Sequence, residues 1–158
     1  MIKSLFITIL FCAPFIAFSQ VKLINIDQLN NRTNHGSDTT YVINFWATWC
    51  APCIKELDSF EKLNKQYKNE KLKVLLISVD FESKLSSLST FIKKRNLQTE
   101  VFLINEKNEQ EYINRIDSGW SGAIPATLFI KNNDRKFFEK EFTYDQLANE
   151  YKSIKSGK

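Results

Sequence analysis

The chain has 158 residues, of which 43% are hydrophobic and 25% are charged, and its formal net charge is +4. These values are typical of a globular protein with a single domain-sized core, and 13 phenylalanines predict that this core is rich in aromatic side chains. The basic residues are scattered and interleaved with glutamates, so no basic stripe with aromatics indicates a nucleic-acid interface, and we expect no nucleic-acid partner.

Residues 1–19 are predicted to be a signal peptide, which leaves residues 20–158 as one domain. Lys3 is followed by an apolar run from Leu5 to Phe18, shorter than the ~20 residues that span a bilayer, and cleavage is expected after Ser19. The mature protein would then be exported to the periplasm. Two alternatives remain open: an uncleaved N-terminal membrane anchor, and a lipoprotein attached through Cys12, which lacks the usual small residue before it.

Strands and helices are predicted to alternate through the first half of the domain. Apolar runs of strand length without helical spacing predict strands, and apolar residues three and four apart predict helices. The predicted elements are a weak strand over 22–26, a short helical turn over 28–32, a buried strand over 39–47, a helix from 50 to about 69, a buried strand over 72–79 and a helix around 85–95.

The second half adds a hairpin and a last helix. We predict a strand over 101–104, a helix over 108–116, a loop to Pro125, a strand over 126–130, a turn at 132–134, a strand over 136–142 and a helix after the capping-box residues 143–146. Strands joined by a crossover helix are parallel, whereas a tight hairpin pairs its strands antiparallel. The predicted fold class is therefore α/β, a mixed central sheet with helices on both faces.

Two cysteines stand at the junction of a buried strand and a helix. Cys50 and Cys53 are separated by two residues within Trp46-Ala47-Thr48-Trp49-Cys50-Ala51-Pro52-Cys53, a spacing typical of a redox pair. Unpaired N–H groups and the helix dipole at a helix N-terminus stabilise a thiolate at Cys50 and lower its pKa. Cys53 lies one turn further on and can attack a mixed disulfide at Cys50, and Pro52 suits a first helical turn.

The numbers of cysteines and histidines limit the kinds of reaction and ligand that the sequence can support. If cleavage removes Cys12, only Cys50 and Cys53 remain, and a bridge between them closes a ring too small to constrain the unfolded chain much. The pair is therefore predicted to act in chemistry. His35 is the only histidine, and with none near the cysteines we expect no metal and no cofactor.

The segment Val42 to Cys53, with Ile124-Pro125 about seventy residues later, resembles the TlpA/ResA-like branch of thioredoxin-fold thiol–disulfide oxidoreductases. The resemblance implies a thioredoxin-like three-layer fold, with Cys50 as the attacking cysteine and Cys53 as the resolving one. It also implies that Pro125 is a cis-proline facing the disulfide, and that Ile124 offers main-chain groups to a substrate peptide.

Other residues near the cysteines are candidates for supporting roles. Glu56 lies where this branch often has a glutamate, and a buried carboxylate there would accept a proton from Cys53; the alternative is an ordinary surface position. Asn44 takes the place of a buried acid found in thioredoxins proper. We expect Trp49 to be partly exposed and, with Ala51 and Pro52, to form the substrate surface. Of the other tryptophans, Trp46 is predicted in the core, and Trp120 fits a groove wall or the core equally well.

The predicted reaction is dithiol–disulfide exchange on protein disulfides, with an apocytochrome among the candidate substrates. Strongly oxidising members of this fold have a histidine between the cysteines; Ala51-Pro52 supplies none, which favours a reductase fed by a membrane thiol relay. The alternatives are a disulfide oxidant or isomerase and a non-catalytic binding domain. A peroxiredoxin-type peroxidase and a copper-delivery protein are disfavoured, because Thr48 is misplaced for the first and no histidine follows the cysteines for the second.

Overall fold

The computed structural model describes residues 21–34 and 38–157. The predicted signal peptide, Cys12 and His35 lie outside these residues. Within the part of the chain that is described, no helix combines the length and the apolar character needed to cross a membrane.

Six strands form one mixed sheet in the order β1-β4-β3-β2-β5-β6. The strands β1, β4, β3 and β2 run parallel, and β5 and β6 are antiparallel to their neighbours, which confirms the predicted α/β arrangement. The strands are β1 (Lys22–Ile24), β2 (Thr40–Trp46), β3 (Leu72–Ser78), β4 (Glu100–Ile104), β5 (Ala126–Lys131) and β6 (Asp134–Phe138).

Helices cover both faces of the sheet. They are α1 (Ile26–Asn34), α2 (Ala51–Gln66), α3 (Leu85–Arg95), which follows a 3₁₀ turn at Glu82–Lys84, α4 (Glu109–Ile116) and α5 (Tyr144–Lys155). One apolar core joins α2, α3 and α5 to one face, and a second joins α1 and α4 to the other. Adjacent residues of β2 divide between the two cores, Val42 in the first and Ile43 in the second, so the whole strand is buried.

Several predicted boundaries differ from the structure. The helix expected to reach Asn69 ends at Gln66, and α1 is longer than the turn expected over 28–32. The strand expected over 136–142 ends at Phe138. Phe142 is nevertheless buried against Phe129 and Phe138. An apolar residue stands at this position because it packs in the core, although it is not part of a strand. The predicted capping box is present, with Thr143 and Gln146 at the start of α5.

The parallel strands give the sheet two ends that differ in strand direction. We call the end where β2, β3 and β4 finish the carboxyl edge, and the end where they begin the amino edge. The helix α2 starts at the carboxyl edge directly after β2, and it runs back toward the amino edge. This places the two cysteines at the carboxyl edge.

Candidate active site

The two cysteines form a disulfide at the start of α2, as their spacing predicted. Cys50 is the N-cap residue, and the N–H of Cys53 donates to its Sγ at 3.3 Å. Cys53 is fully buried, whereas Cys50 retains 6% of its surface. The sulfur of Cys50 is therefore the one that a partner molecule can reach, and it is also the one whose thiolate the helix N-terminus stabilises.

The segment before β5 closes one side of the disulfide. The peptide bond between Ile124 and Pro125 is cis, as the resemblance implied, and the carbonyl oxygen of Ile124 lies 3.8 Å from Cys50 Sγ. The sheet explains how residues so distant in sequence meet. Because β5 pairs antiparallel with β2, the start of β5 at Ala126 lies opposite Phe45 near the end of β2.

Glu56 is buried with 1% of its surface exposed, which rules out the surface alternative. It lies three residues after Cys53, so the two share one face of α2. Asn44 Nδ2 donates to its Oε1 and the N–H of Phe142 to its Oε2, both at 2.7 Å. Burial raises the pKa of Glu56 to about 7, the two hydrogen bonds oppose this shift, and the charge of Glu141 adds slightly to it. Such a carboxyl group can exchange a proton near neutral pH.

Asp80, directly after the buried strand predicted over 72–79, is a positioning residue. Its carboxylate accepts hydrogen bonds from the N–H and the hydroxyl of Thr48, at 3.0 and 2.7 Å, and from the hydroxyl of Ser78 at 2.7 Å. It is buried and ties the loop before Cys50 to the end of β3. An acidic residue directly after a buried parallel strand was the signal that could have identified it.

Aromatic side chains border the site. Trp49 is 68% exposed, and Ala51 and Pro52 are exposed beside it, as expected of a contact surface. Phe81, for which no role was predicted, is 78% exposed. Trp49 and Phe81 line a cleft of about 360 Å³ whose wall also includes Ile124.

The other two tryptophans are buried. Trp46 packs against Phe91 in the core, as predicted. Trp120 also belongs to the core, where it contacts Phe45 and its indole N–H donates to the carbonyl of Ala123, and one side of it lines the cleft. Both roles considered for Trp120 therefore apply.

The fold and its cysteine pair define a thioredoxin-like protein. A thioredoxin-related protein from Neisseria meningitidis serogroup B superposes with a TM-score of 0.66 at 21% identity, covering 75% of this chain and 86% of that one. A thiol:disulfide interchange protein from Chlorobium tepidum superposes with a TM-score of 0.64 at 20% identity, covering 75% and 81%. At these identities the likeness concerns the fold.

The chain belongs to the AhpC/TSA family, whose model matches residues 16–135. It is also 30% identical over 133 residues to the thiol-disulfide oxidoreductase ResA of Oceanobacillus iheyensis, across 81% of this chain. The chain spans 65% of the length of that relative, and 57% of the ResA of Bacillus cereus, to which it is also 30% identical.

Proposed function

We propose that the protein is an exported thiol–disulfide oxidoreductase that reduces protein disulfides through Cys50 and Cys53. The observation that carries the proposal is the disulfide at the N-terminus of α2, with its more accessible sulfur, that of Cys50, 3.8 Å from the carbonyl of Ile124. The similarity to ResA proteins supports the same chemistry.

The reduced protein would begin the reaction with a thiolate at Cys50. The thiolate attacks one sulfur of a substrate disulfide, forming a mixed disulfide and releasing the other substrate sulfur as a thiolate that takes up a proton. The Cys53 thiol loses its proton and attacks Cys50. The second substrate sulfur then leaves as a thiolate, and the protein returns to its disulfide form. Two electrons have passed to the substrate.

Glu56 is proposed as the group that accepts the proton of Cys53. It lies one turn from Cys53 on the same helix face, it is buried, and its pKa of about 7 lets it take a proton at neutral pH. When Glu56 is ionised, its negative charge opposes a thiolate at Cys53. Transfer of the proton to Glu56 removes that opposition as the thiolate forms.

The substrate surface is proposed to consist of Trp49, Ala51, Pro52 and the backbone of Ile124. The first three are exposed around Cys50, and Ile124 is partly buried beside it. Free main-chain groups at the start of an antiparallel strand can pair with an extended peptide. Pro125 would hold this segment against the disulfide.

The direction of the reaction is proposed from the residues between the cysteines. Neither Ala51 nor Pro52 carries a charge that would stabilise the Cys50 thiolate further, so the disulfide is expected to have a potential near that of thioredoxin, about −270 mV.

Regeneration of the reduced protein requires an electron donor, and we propose a membrane thiol relay. Protein disulfides of the exported compartment are the proposed substrates, with an apocytochrome as one candidate. We propose cleavage after Ser19, with an N-terminal anchor as the alternative.

The decisive experiment traps the intermediate with Cys53→Ser. Cys50 can then attack but cannot be resolved, so mixed disulfides should accumulate in an extract of the exported compartment, and Cys50→Ser is the matched control. Equal trapping by both variants would contradict the assigned roles. A measured potential above about −150 mV would contradict the reductase direction.

Two further assays separate the alternatives. Insulin reduction coupled to dithiothreitol should show turnover by the unmodified protein and none by Cys50→Ser. No turnover by either protein would indicate a non-catalytic binding domain. Consumption of hydrogen peroxide faster than reduction of insulin would favour a peroxidase.

A further inference from the structure

Lysines that alternate with glutamates in the sequence lie close together in the fold. Between Glu61 and Lys73 five lysines alternate with two glutamates, yet four of the lysines meet around one groove of about 630 Å³ at the amino edge. Residues of α2, the turn after it and the start of β3 form this groove. We call it the lysine groove, and it is formed by Lys62, Lys65, Lys68 and Lys73 around the apolar residues Leu72 and Val74.

The acidic residues of the lysine groove already have partners. The carboxylate of Glu61 accepts hydrogen bonds from the N–H groups of Gln98 and Thr99, the shortest at 2.8 Å. Glu100 pairs with Arg32 at 2.6 Å. Both residues also line the groove, where their two carboxylates offset part of the charge of the four lysines.

Lys62 lies over the ring of Tyr144, and the other three lysines of the groove remain available for another molecule. Among residues 21–34 and 38–157, Lys65, Lys68 and Lys73 form no ion pair, and all three are exposed. A neighbouring cluster adds to the positive charge, because Lys71 and Lys131 share the single carboxylate of Asp38. Lysines therefore outnumber carboxylates around the groove, and the amino edge carries a net positive charge.

The opposite edge of the sheet has the opposite charge. The cleft beside the disulfide is lined by Asp80, Glu82, Glu106 and Glu109, with Lys107 as its one lysine. A negatively charged surface would therefore attract the amino edge and repel the carboxyl edge, which carries Cys50. The molecule has a preferred orientation in the field of such a surface.

We propose that the lysine groove docks the protein on the anionic surface of a lipid bilayer, with the disulfide at the opposite edge directed away from it. Lysine stems can lie over Leu72 and Val74 while their ammonium groups contact lipid phosphates. The attraction comes from several separate lysines, so it should weaken steeply with salt. The inference goes beyond the thiol chemistry and does not depend on it.

The test uses residues 20–158, which contain every strand and helix and both cores described above. We expect this protein to co-sediment with vesicles that contain phosphatidylglycerol and not with vesicles of phosphatidylcholine alone. Lys65→Gln combined with Lys73→Gln should weaken the binding about 25-fold, since each lysine near an anionic surface contributes about fivefold. The matched control is Lys84→Gln with Lys107→Gln, which removes the same charge at the carboxyl edge and should leave binding nearly unchanged.

Several results would contradict the proposed docking on an anionic bilayer. Equal loss of binding in both double variants would show attraction by net charge and overturn it. Binding to a polyglutamate peptide without binding to anionic vesicles would also overturn it, since the groove would then recognise an acidic protein segment. On vesicles, Trp49 fluorescence should stay accessible to an aqueous quencher and Cys50 should stay reducible. Protection of either would overturn the proposed orientation.

Discussion

At the scale of single residues, Glu56 is the most unusual feature of the protein. Its carboxyl group is 1% exposed and has no cation beside it among the residues that the structure describes, but Asn44 and the N–H of Phe142 both donate to it. Two hydrogen bonds do not fully offset the loss of water, so its pKa rises to about 7. The protein keeps this carboxyl group at a cost in stability, which is typical of a functional group.

Glu56→Gln should remove a pH-dependent loss of stability. In the unfolded chain Glu56 ionises near pH 4.5, whereas in the folded protein it ionises near pH 7. Stability is therefore unaffected by this group below about pH 4.5, decreases as the pH rises between these values, and is constant above about pH 7. The difference in unfolding free energy between the variant and the unmodified protein should grow by about 3 kcal/mol from pH 4.5 to 7.

Urea unfolding of the oxidised protein at several pH values measures this difference without interference from thiol ionisation. In the Glu56→Gln variant the new side-chain oxygen can keep the bond from Phe142. Rotation of the Asn44 amide would turn its oxygen, which has no partner among the described residues, toward the new NH₂ group. A difference that does not change with pH would contradict the prediction.

In the reduced protein the same variant should lower the thiol pKa, and an unchanged thiol titration would exclude a role for Glu56.

At the scale of elements, the N-terminus of α2 holds the proposed reactive sulfur. Its cap is Cys50 itself, so the group that stabilises the helix end is also the group proposed to react. Asp80 fixes the approach to this cap through Thr48, and the end of β3 therefore helps to position a cysteine on another element. The residues between the cysteines are exposed and can be exchanged without disturbing the core.

Pro52→His should make the protein more oxidising. A protonated imidazole in the first turn of α2 would stabilise the Cys50 thiolate and therefore the reduced form. We expect the reduction potential to rise by at least about 30 mV, which corresponds to ~1.4 kcal/mol for a two-electron couple. Equilibration with glutathione buffers measures the potential, and Pro52→Ala is the control for loss of the proline. A rise of the same size in both variants would show that the imidazole charge is not the cause.

The sequence allowed prediction of the elements and of the cysteine pair but not of the contacts between distant segments. Local spacing located α2 and the capping box of α5, and the resemblance supplied Pro125. The burial of Glu56 depends on Phe142, which is 86 residues away and lies outside any strand. Helical periodicity cannot reveal such a partner, because it describes only the face on which a residue lies.

At the scale of the whole molecule, two cores on either side of one sheet hold the structure, and the disulfide contributes little to it. The bridge joins residues only three apart, so it restricts the unfolded chain far less than a bridge between distant segments. Reduction should therefore leave the fold intact. This suits a protein that is proposed to alternate between two redox states.

Reduction of the disulfide should lower the free energy of unfolding by no more than about 2 kcal/mol, the loop-entropy value for so short a ring. Unfolding by urea with and without dithiothreitol measures the difference. The double variant Cys50→Ser with Cys53→Ser is the control, and it should resemble the reduced protein. A loss well above this value would mean that the bridge has a structural role.

The hydrogen bond from the Phe142 backbone to Glu56 has a consequence for spectroscopy. The segment before α5 carries an amide proton whose acceptor changes its ionisation state near pH 7. The NMR chemical shift of the Phe142 amide should therefore titrate with the pKa of Glu56, and the titration midpoint should move when the disulfide is reduced. A backbone signal far along the chain would then report the electrostatics of the thiol pair, without a label at either cysteine.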